Sequence, residues 1–209
     1  MRKIDFRNNH DEFELWMKWY AEFIRKFIYA RRIVRTKFEK LEMIEALVLR
    51  CAVRWERLVE SDILASINRD SSVYSEKLGL SLRKHLTRDE CEAIIIGHRY
   101  LDFKSINDIK NFANKFLVKK YNPFVAITKD IENKIDEFML MRNLLSHYSS
   151  YTWRSYKQMM AKKYFYKNIP EPGAFLIKIN RKNKNIYRWG EYIINFLTCS
   201  ERMRKAVRS

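Results

Sequence analysis

Turn formers are scarce in this sequence. Four glycines and three prolines in 209 residues argue against an all-β sandwich of many tight turns and favour helices. Cysteine is nearly as rare. Cys51, Cys91 and Cys199 are widely separated and odd in number, and none belongs to a Cys-x-x-Cys pair. Neither a disulfide framework nor a zinc site is therefore expected, and reduced, buried thiols are the simpler reading. No uncharged run approaches the ~18 residues of a membrane span, and Met1-Arg2-Lys3-Ile4-Asp5 has no apolar signal core. These absences predict a cytoplasmic protein without a membrane partner. Carboxylates are also short: 25 Asp plus Glu stand against 42 Lys plus Arg, a formal net charge of +17. Such an excess is the electrostatic footprint of a nucleic-acid binder or of a protein at a membrane surface.

Hydrophobic residues make up 47% of the chain, enough for a real core, and the length fits a single domain spanning 1–209. There is no internal repeat, low-complexity tract or long linker. Apolar residues at three- and four-residue spacing predict helices over about 11–34 and 38–68. Residues 73–84 are ambiguous, with a short helix stopped at Gly79 as one reading. Thr87-Arg88-Asp89-Glu90 has the form of a capping box and predicts a helix running to about Ile96 or Gly97. Ser105 or Asn107 caps another helix, and Tyr121-Asn122-Pro123 reads as a turn. A helix starting near Phe124 or Thr128 has Ile131, Ile135, Phe138 and Leu145 as its buried stripe. Ser149 and Ser150 break it before a further helix over about 152–164. Near the C-terminus, 174–179 alternates and is rich in β formers, Arg181 to Asn185 reads as a turn, and 186–189 as a return strand. A small C-terminal β-hairpin is therefore predicted, followed by a last helix over about 190–205. The fold class expected is all-α with that one appendage.

The most informative stretch is Arg142-Asn143-Leu144-Leu145-Ser146-His147, at the end of the amphipathic helix. Phosphodiester chemistry on RNA needs a permanent cation for phosphate and a group that titrates near neutral pH, and arginine and histidine supply them. At about 100° per residue, Arg142 continues the apolar stripe, while Asn143 and His147 share another face with Glu132 and Asp136. Arg142 and His147 lie roughly 140° apart on a straight helix and do not converge. Either the helix distorts near its end or two copies meet across a two-fold axis to build a composite site. A dimer is favoured, with local distortion compatible with it.

This pattern resembles the Arg-x4–6-His signature of the HEPN superfamily (higher eukaryotes and prokaryotes nucleotide-binding), which commonly has a polar residue directly after the arginine, as Asn143 is here. The surroundings are similar to the bacterial HEPN-like group. Asn122-Pro123-Phe124 and Lys134 to Phe138 precede the motif, a serine-rich turn and Arg154-Ser155-Tyr156-Lys157 follow it, and Trp55-Glu56 with Glu60 is similar to an early HEPN helix. The resemblance covers about 38–165, leaving a hairpin-helix extension over about 170–209. It implies a HEPN-like helical bundle that dimerises with its motifs facing each other. It further implies a metal-independent endoribonuclease that works without a cofactor, often a toxin of a toxin–antitoxin or antiviral defence system. The partners implied are RNA, a second copy of the chain and a cognate antitoxin such as a minimal nucleotidyltransferase.

Arg142, Asn143 and His147 are the catalytic candidates. His147 would act as general acid or base, Arg142 would neutralise phosphorane-like charge, and Asn143 would orient His147 or the phosphate. Tyr148, Tyr151, Arg154 and Lys157 are candidates for RNA binding, the tyrosines by stacking on bases. Glu56 and Glu60 are supporting candidates. Glu132 and Asp136 do not make a metal site without further ligands. Three other readings stay open: a HEPN fold that binds RNA or nucleotide without turnover, a protein-interaction module, and attachment to a membrane surface through the basic N-terminal helix.

Overall fold

The structure is a computed structural model that describes residues 3–26, 36–97, 103–180 and 186–207. Among the described residues it is predominantly helical. The α-helices are α1 (Phe6–Ile24), α2 (Lys37–Arg69), α3 (Ser72–Leu78), α4 (Arg88–Gly97), α5 (Ile106–Phe116), α6 (Lys129–His147), α7 (Ser150–Tyr164), α8 (Pro172–Leu176) and α9 (Arg188–Ala206), with 3-10 turns at Lys119–Tyr121 and Pro123–Ala126. The all-α class therefore holds. Among the described residues, no helix is long and apolar enough to cross a membrane.

The helices form where periodicity and caps place them. Phe6, His10, Phe13, Met17, Tyr20 and Ile24 are buried at alternating four- and three-residue steps along α1, an apolar stripe with a histidine in it. The continuation of α1 expected to about residue 34 lies outside the described residues. Gly79 ends α3 with φ 65°, in the left-handed region that glycine enters without steric cost. At the start of α4 the Glu90 carboxylate accepts from the Thr87 N–H at 2.7 Å, and the Thr87 hydroxyl accepts from the Glu90 N–H at 3.2 Å. That reciprocal pair is the predicted capping box. Ser105, rather than Asn107, caps α5 by accepting from the Asp108 N–H.

The predicted C-terminal hairpin is not formed. Residues 172–176 are helix α8, with Pro172 preset for the first helical position. Phe175 and Leu176 are both fully buried, which successive strand residues on a one-sided hairpin would not be. Gly173 explains the close docking of α8 on α2, because a Cβ there would stand 3.0 Å from the Leu41 carbonyl and against the Glu45 carboxylate. Glu45 in turn accepts from the Gly173 N–H at 2.8 Å. What survives of the hairpin is one antiparallel bridge between Ile179 and Tyr187, closed by the Asn180 N–H to Ile186 and the Arg188 N–H to Lys178. The turn expected at 181–185 lies outside the described residues, and the return strand gives way to α9 at Arg188.

By internal packing the chain resolves into two units. The first comprises Met1–Glu14, Trp55–Glu132 and Thr198–Ser209, and the second Leu15–Arg54 and Asn133–Leu197. In the first unit a polar cluster sits inside the core. His10 Nε2 is 3.0 Å from Asp62 Oδ2, and both side chains are 0% exposed. His10 Nδ1 lies 2.8 Å from the hydroxyl of Ser200, which donates to Glu14 at 3.0 Å. The single hydroxyl hydrogen goes to Glu14, so Nδ1 of His10 must donate to Ser200. Burial pushes the Asp62 carboxyl above the ordinary carboxylate value, with His10 acting in the opposite sense. Glu14 also faces Arg204, which bonds Asp11 at 2.9 Å. Serine, histidine and aspartate in contact suggest a nucleophilic triad, but Ser200 is itself 0% exposed and no substrate reaches it. The cluster is a structural clamp joining α1, α2 and α9.

Also in the first unit, Glu132 in the opening turn of α6 is buried and paired with Lys110 at 2.7 Å and with Lys129. The hydrogen bond from Lys110 and then that from Lys129 hold its carboxyl below the ordinary value. A carboxylate so depressed stabilises the fold above its unfolded pKa, and that contribution is lost as pH falls through the folded value.

Two measurements check these assignments. His10→Ala leaves the buried Asp62 without its partner and lowers the unfolding free energy by about 3–5 kcal/mol in urea titration at neutral pH; an unchanged midpoint would contradict the clamp. Glu132→Gln costs about 1.5–3 kcal/mol at pH 7, and the gap to wild type narrows as the pH is lowered below the ordinary glutamate value; a gap independent of pH would show that the charge of Glu132 contributes nothing.

Candidate functional site

The motif lies in the second unit, at the end of α6. Ile131, Ile135 and Phe138 are buried as expected, but the stripe ends on Met141 and Leu144, whereas Leu145 is only half-buried. Among the described residues of this unit, Glu137 is the polar anchor of α6. It is 6% exposed and accepts from the Tyr164 hydroxyl at 2.6 Å, the Tyr192 hydroxyl at 3.0 Å and the Lys163 ammonium. Three helices, α6, α7 and α9, meet on that carboxylate. The ring of Phe138, the next residue, packs against Trp189, Tyr192 and Phe196.

Arg142 and Asn143 are half-buried, and Arg142 Nη1 donates to Asn143 Oδ1 at 2.9 Å. The amide thus faces the guanidinium rather than the imidazole. His147 is exposed as the last residue of α6, and its side chain hydrogen-bonds to no described residue. The helix stays regular through His147, so any convergence on Arg142 by local unwinding would have to occur beyond the point where it is needed. The backbone turns one residue later. Tyr148 takes φ 43° and its N–H closes on the Leu144 carbonyl at 2.8 Å, a left-handed helix cap made by a non-glycine residue. The Tyr148 hydroxyl donates to Glu171 at 2.9 Å. Partial burial and then that carboxylate push its phenol up to about 12, so it remains a neutral donor near neutral pH.

Ser149 then caps α7. Its hydroxyl accepts from the Thr152 N–H at 3.2 Å, while Thr152 returns a bond to the Ser149 N–H at 3.1 Å. The turn between α6 and α7 is therefore very short, and it sets Tyr151, Arg154 and Lys157 just beyond His147. All three are exposed, and the Lys157 ammonium lies over the Trp153 ring at 5.3 Å. Inward, Tyr156 is fully buried and donates to the Pro170 carbonyl at 3.0 Å. The four RNA-binding candidates, Tyr148, Tyr151, Arg154 and Lys157, thus share the solvent-facing side of one short segment with His147.

Glu56 and Glu60 lie on α2 within the first unit, Glu56 half-buried and Glu60 exposed. Among the described residues, no cluster of three or more His, Cys, Asp or Glu side chains could hold a metal ion. The three cysteines are free and buried. Sequence reading missed Glu137, whose signal was present: a carboxylate directly before the buried Phe138, at a position where a solvent-facing acid was not required. No family model, curated protein or solved structure matches the chain.

Proposed function

We propose that the protein is a HEPN-type, metal-independent endoribonuclease, acting as a homodimer and serving as the toxin of a toxin–antitoxin or defence pair. The observation that carries the reading is the exposed, unengaged His147 closing α6, five residues from a guanidinium already held by its neighbouring amide. In the proposed reaction the RNA 2′-oxygen attacks the adjacent phosphorus. One His147 takes the 2′-hydroxyl proton, the bond from phosphorus to the 5′-oxygen breaks, and the second copy's His147 protonates the leaving 5′-oxygen. The products are a 2′,3′-cyclic phosphate and a 5′-hydroxyl. Arg142 neutralises the charge that builds on the non-bridging oxygens, where a preorganised cation contributes most, and Asn143 keeps that guanidinium in place. The proposal routes no step through a metal. A cognate antitoxin, for which a minimal nucleotidyltransferase is the model, would act by covering or modifying this junction.

Pure protein is expected to cut single-stranded RNA in the presence of a chelator and to leave cyclic phosphate ends. His147→Ala should slow cleavage by about 10²–10⁴-fold without loss of helicity by circular dichroism. Wild-type cleavage by that variant, or abolition of cleavage by the chelator, would refute the mechanism. Tight RNA binding with no turnover by the wild type would instead favour the non-catalytic binding module.

A further inference from the structure

The charge on this chain is not spread evenly. From Phe138 to Pro170 there is no Asp or Glu in 33 residues, while Arg142, Arg154, Lys157, Lys162, Lys163 and Lys167 fall inside that window. Some exposed cations elsewhere are neutralised by neighbours, as Arg83 is by Glu90, Arg88 by Glu92 and Lys205 by Glu201. Arg154 and Lys162 are exposed on α7 and form no ion pair with a described residue.

The same helix carries the most exposed aromatic rings among the described residues, Phe165 at 84% and Tyr151 at 76%. On a helical wheel Tyr151, Arg154, Gln158 and Lys162 fall within an arc of about 80°, and all four are exposed. Phe165 follows at the C-cap. Its φ is 54°, and the other positive-φ residue that is not glycine among the described residues is Tyr148, at 43°. Both strained aromatics therefore bracket α7, one at each end. A left-handed backbone costs an L-residue roughly 1–2 kcal/mol, and glycine or asparagine caps a helix without that cost. For Tyr148 the bond to Glu171 offsets that cost; the Phe165 ring, turned to solvent, gains nothing comparable from the fold, and strain of this kind marks sites of function.

We infer that the outer face of α7 is a track for single-stranded RNA leading to His147. The inference rests on the ribonuclease reading for the identity of the polymer. Tyr151 and Phe165 stack on unpaired bases, and Arg154 and Lys162 between them hold phosphates, with Gln158 on the same face. From residue 151 to 165 the track runs about 21 Å, long enough for several nucleotides. Two cations flanked by a ring at each end suit a polymer that offers both phosphates and unpaired bases. A membrane surface would instead call for a continuous apolar stripe beside the cations, and α7 turns its apolar stripe inward through Tyr156 and Met160.

The test measures binding of a fluorescently labelled single-stranded RNA to full-length His147→Ala protein, so that binding is read without turnover. Arg154→Glu with Lys162→Glu should weaken binding by more than about tenfold and lower the slope of log affinity against log salt by about 1.4, two contacts at ~0.7 each. The control pair Lys77→Glu with Lys119→Glu, both exposed and in the first unit, makes the same change in net charge and should leave the affinity near that of the parent. Tyr151→Ala and Phe165→Gly should each cost about 5- to 160-fold in RNA affinity while leaving heparin, a polyanion without bases, bound as before. Phe165→Gly should also raise the thermal midpoint, because it relieves the left-handed cap; a merely structural ring would lower it. Unchanged RNA affinity in the α7 variants overturns the track even if the wild type cleaves RNA. Absent cleavage with α7-dependent binding refutes the ribonuclease and keeps the track. Equal loss from the control pair, or loss of phosphatidylserine vesicle binding in step with RNA binding, overturns it in favour of bulk charge or a lipid surface.

Discussion

A single buried carboxylate sets the geometry on which the second unit depends. Glu137 collects two tyrosine hydroxyls and an ammonium from α7 and α9, and a buried charge is tolerable only when it is satisfied in this way. Removing the carboxylate would take away the acceptor that the Tyr164 and Tyr192 hydroxyls share and leave them their longer contact with each other at 3.3 Å, a cost comparable to the original bond. The contact pins the far end of α7 to the middle of α6, and the capped turn at Tyr148 and Ser149 pins the near end. With both ends fixed, α7 has one face committed to the core and one committed to solvent. The exposed side chains of Tyr151, Arg154 and Lys157 are therefore placed by Glu137 although none of them touches it.

That division of labour recurs across the chain. Carboxylates in or near the core serve as clamps: Asp62 under His10, Glu132 under Lys110, Glu137 under the tyrosines, Glu45 on the backbone of Gly173. Exposed carboxylates neutralise nearby cations, as Glu22 does for Arg25 and Lys26. With 25 acids against 42 bases, such neutralisation cannot extend everywhere, and part of the deficit falls in the acid-free window that contains the motif. Surface ion pairs contribute little stability in any case, so leaving Arg154 and Lys162 unpaired costs the fold almost nothing and keeps them available to an anion.

The sequence made the helices legible because helix periodicity and caps are local. The Thr87–Glu90 box, the Ser105 cap and the stop at Gly79 each depend on residues three or four apart. The hairpin failed for a reason equally local but easily outweighed. Residues 174–179 alternate and favour strand, yet Pro172 initiates helix, and the close approach of Gly173 to α2 rewards burying two successive side chains. Tertiary packing overrides a weak β preference in this way. The polar clamps were invisible for a different reason. Ser200 meets His10 across 190 residues of chain, and Tyr192 meets Glu137 across 55; no spacing rule encodes such pairs. What could have been noticed is a histidine on the apolar stripe of α1, between Phe6 and Phe13.

The motif itself was legible as chemistry but not as geometry. From spacing alone, two routes could bring Arg142 and His147 to one phosphate, a distorted helix end or a second copy. Regular helix through His147 and an abrupt cap at Tyr148 weaken the first route, since unwinding would have to sacrifice the Tyr148 bond to Leu144 and the capping box that follows. The proposal of a ribonuclease therefore leans on the second route. A dimer would let each His147 face the other chain's Arg142–Asn143 pair while both helix ends stay intact. It would also supply the two proton-transfer groups that in-line cleavage uses, one at the attacking oxygen and one at the leaving oxygen, from a chain that offers a single histidine at this junction. The short link from α6 to α7 then has a consequence for the proposed substrate: RNA at the reacting phosphate would have the solvent face of α7 as its immediate neighbour, where rings and unpaired cations wait, with the Glu171 carboxylate held on the Tyr148 hydroxyl beside them.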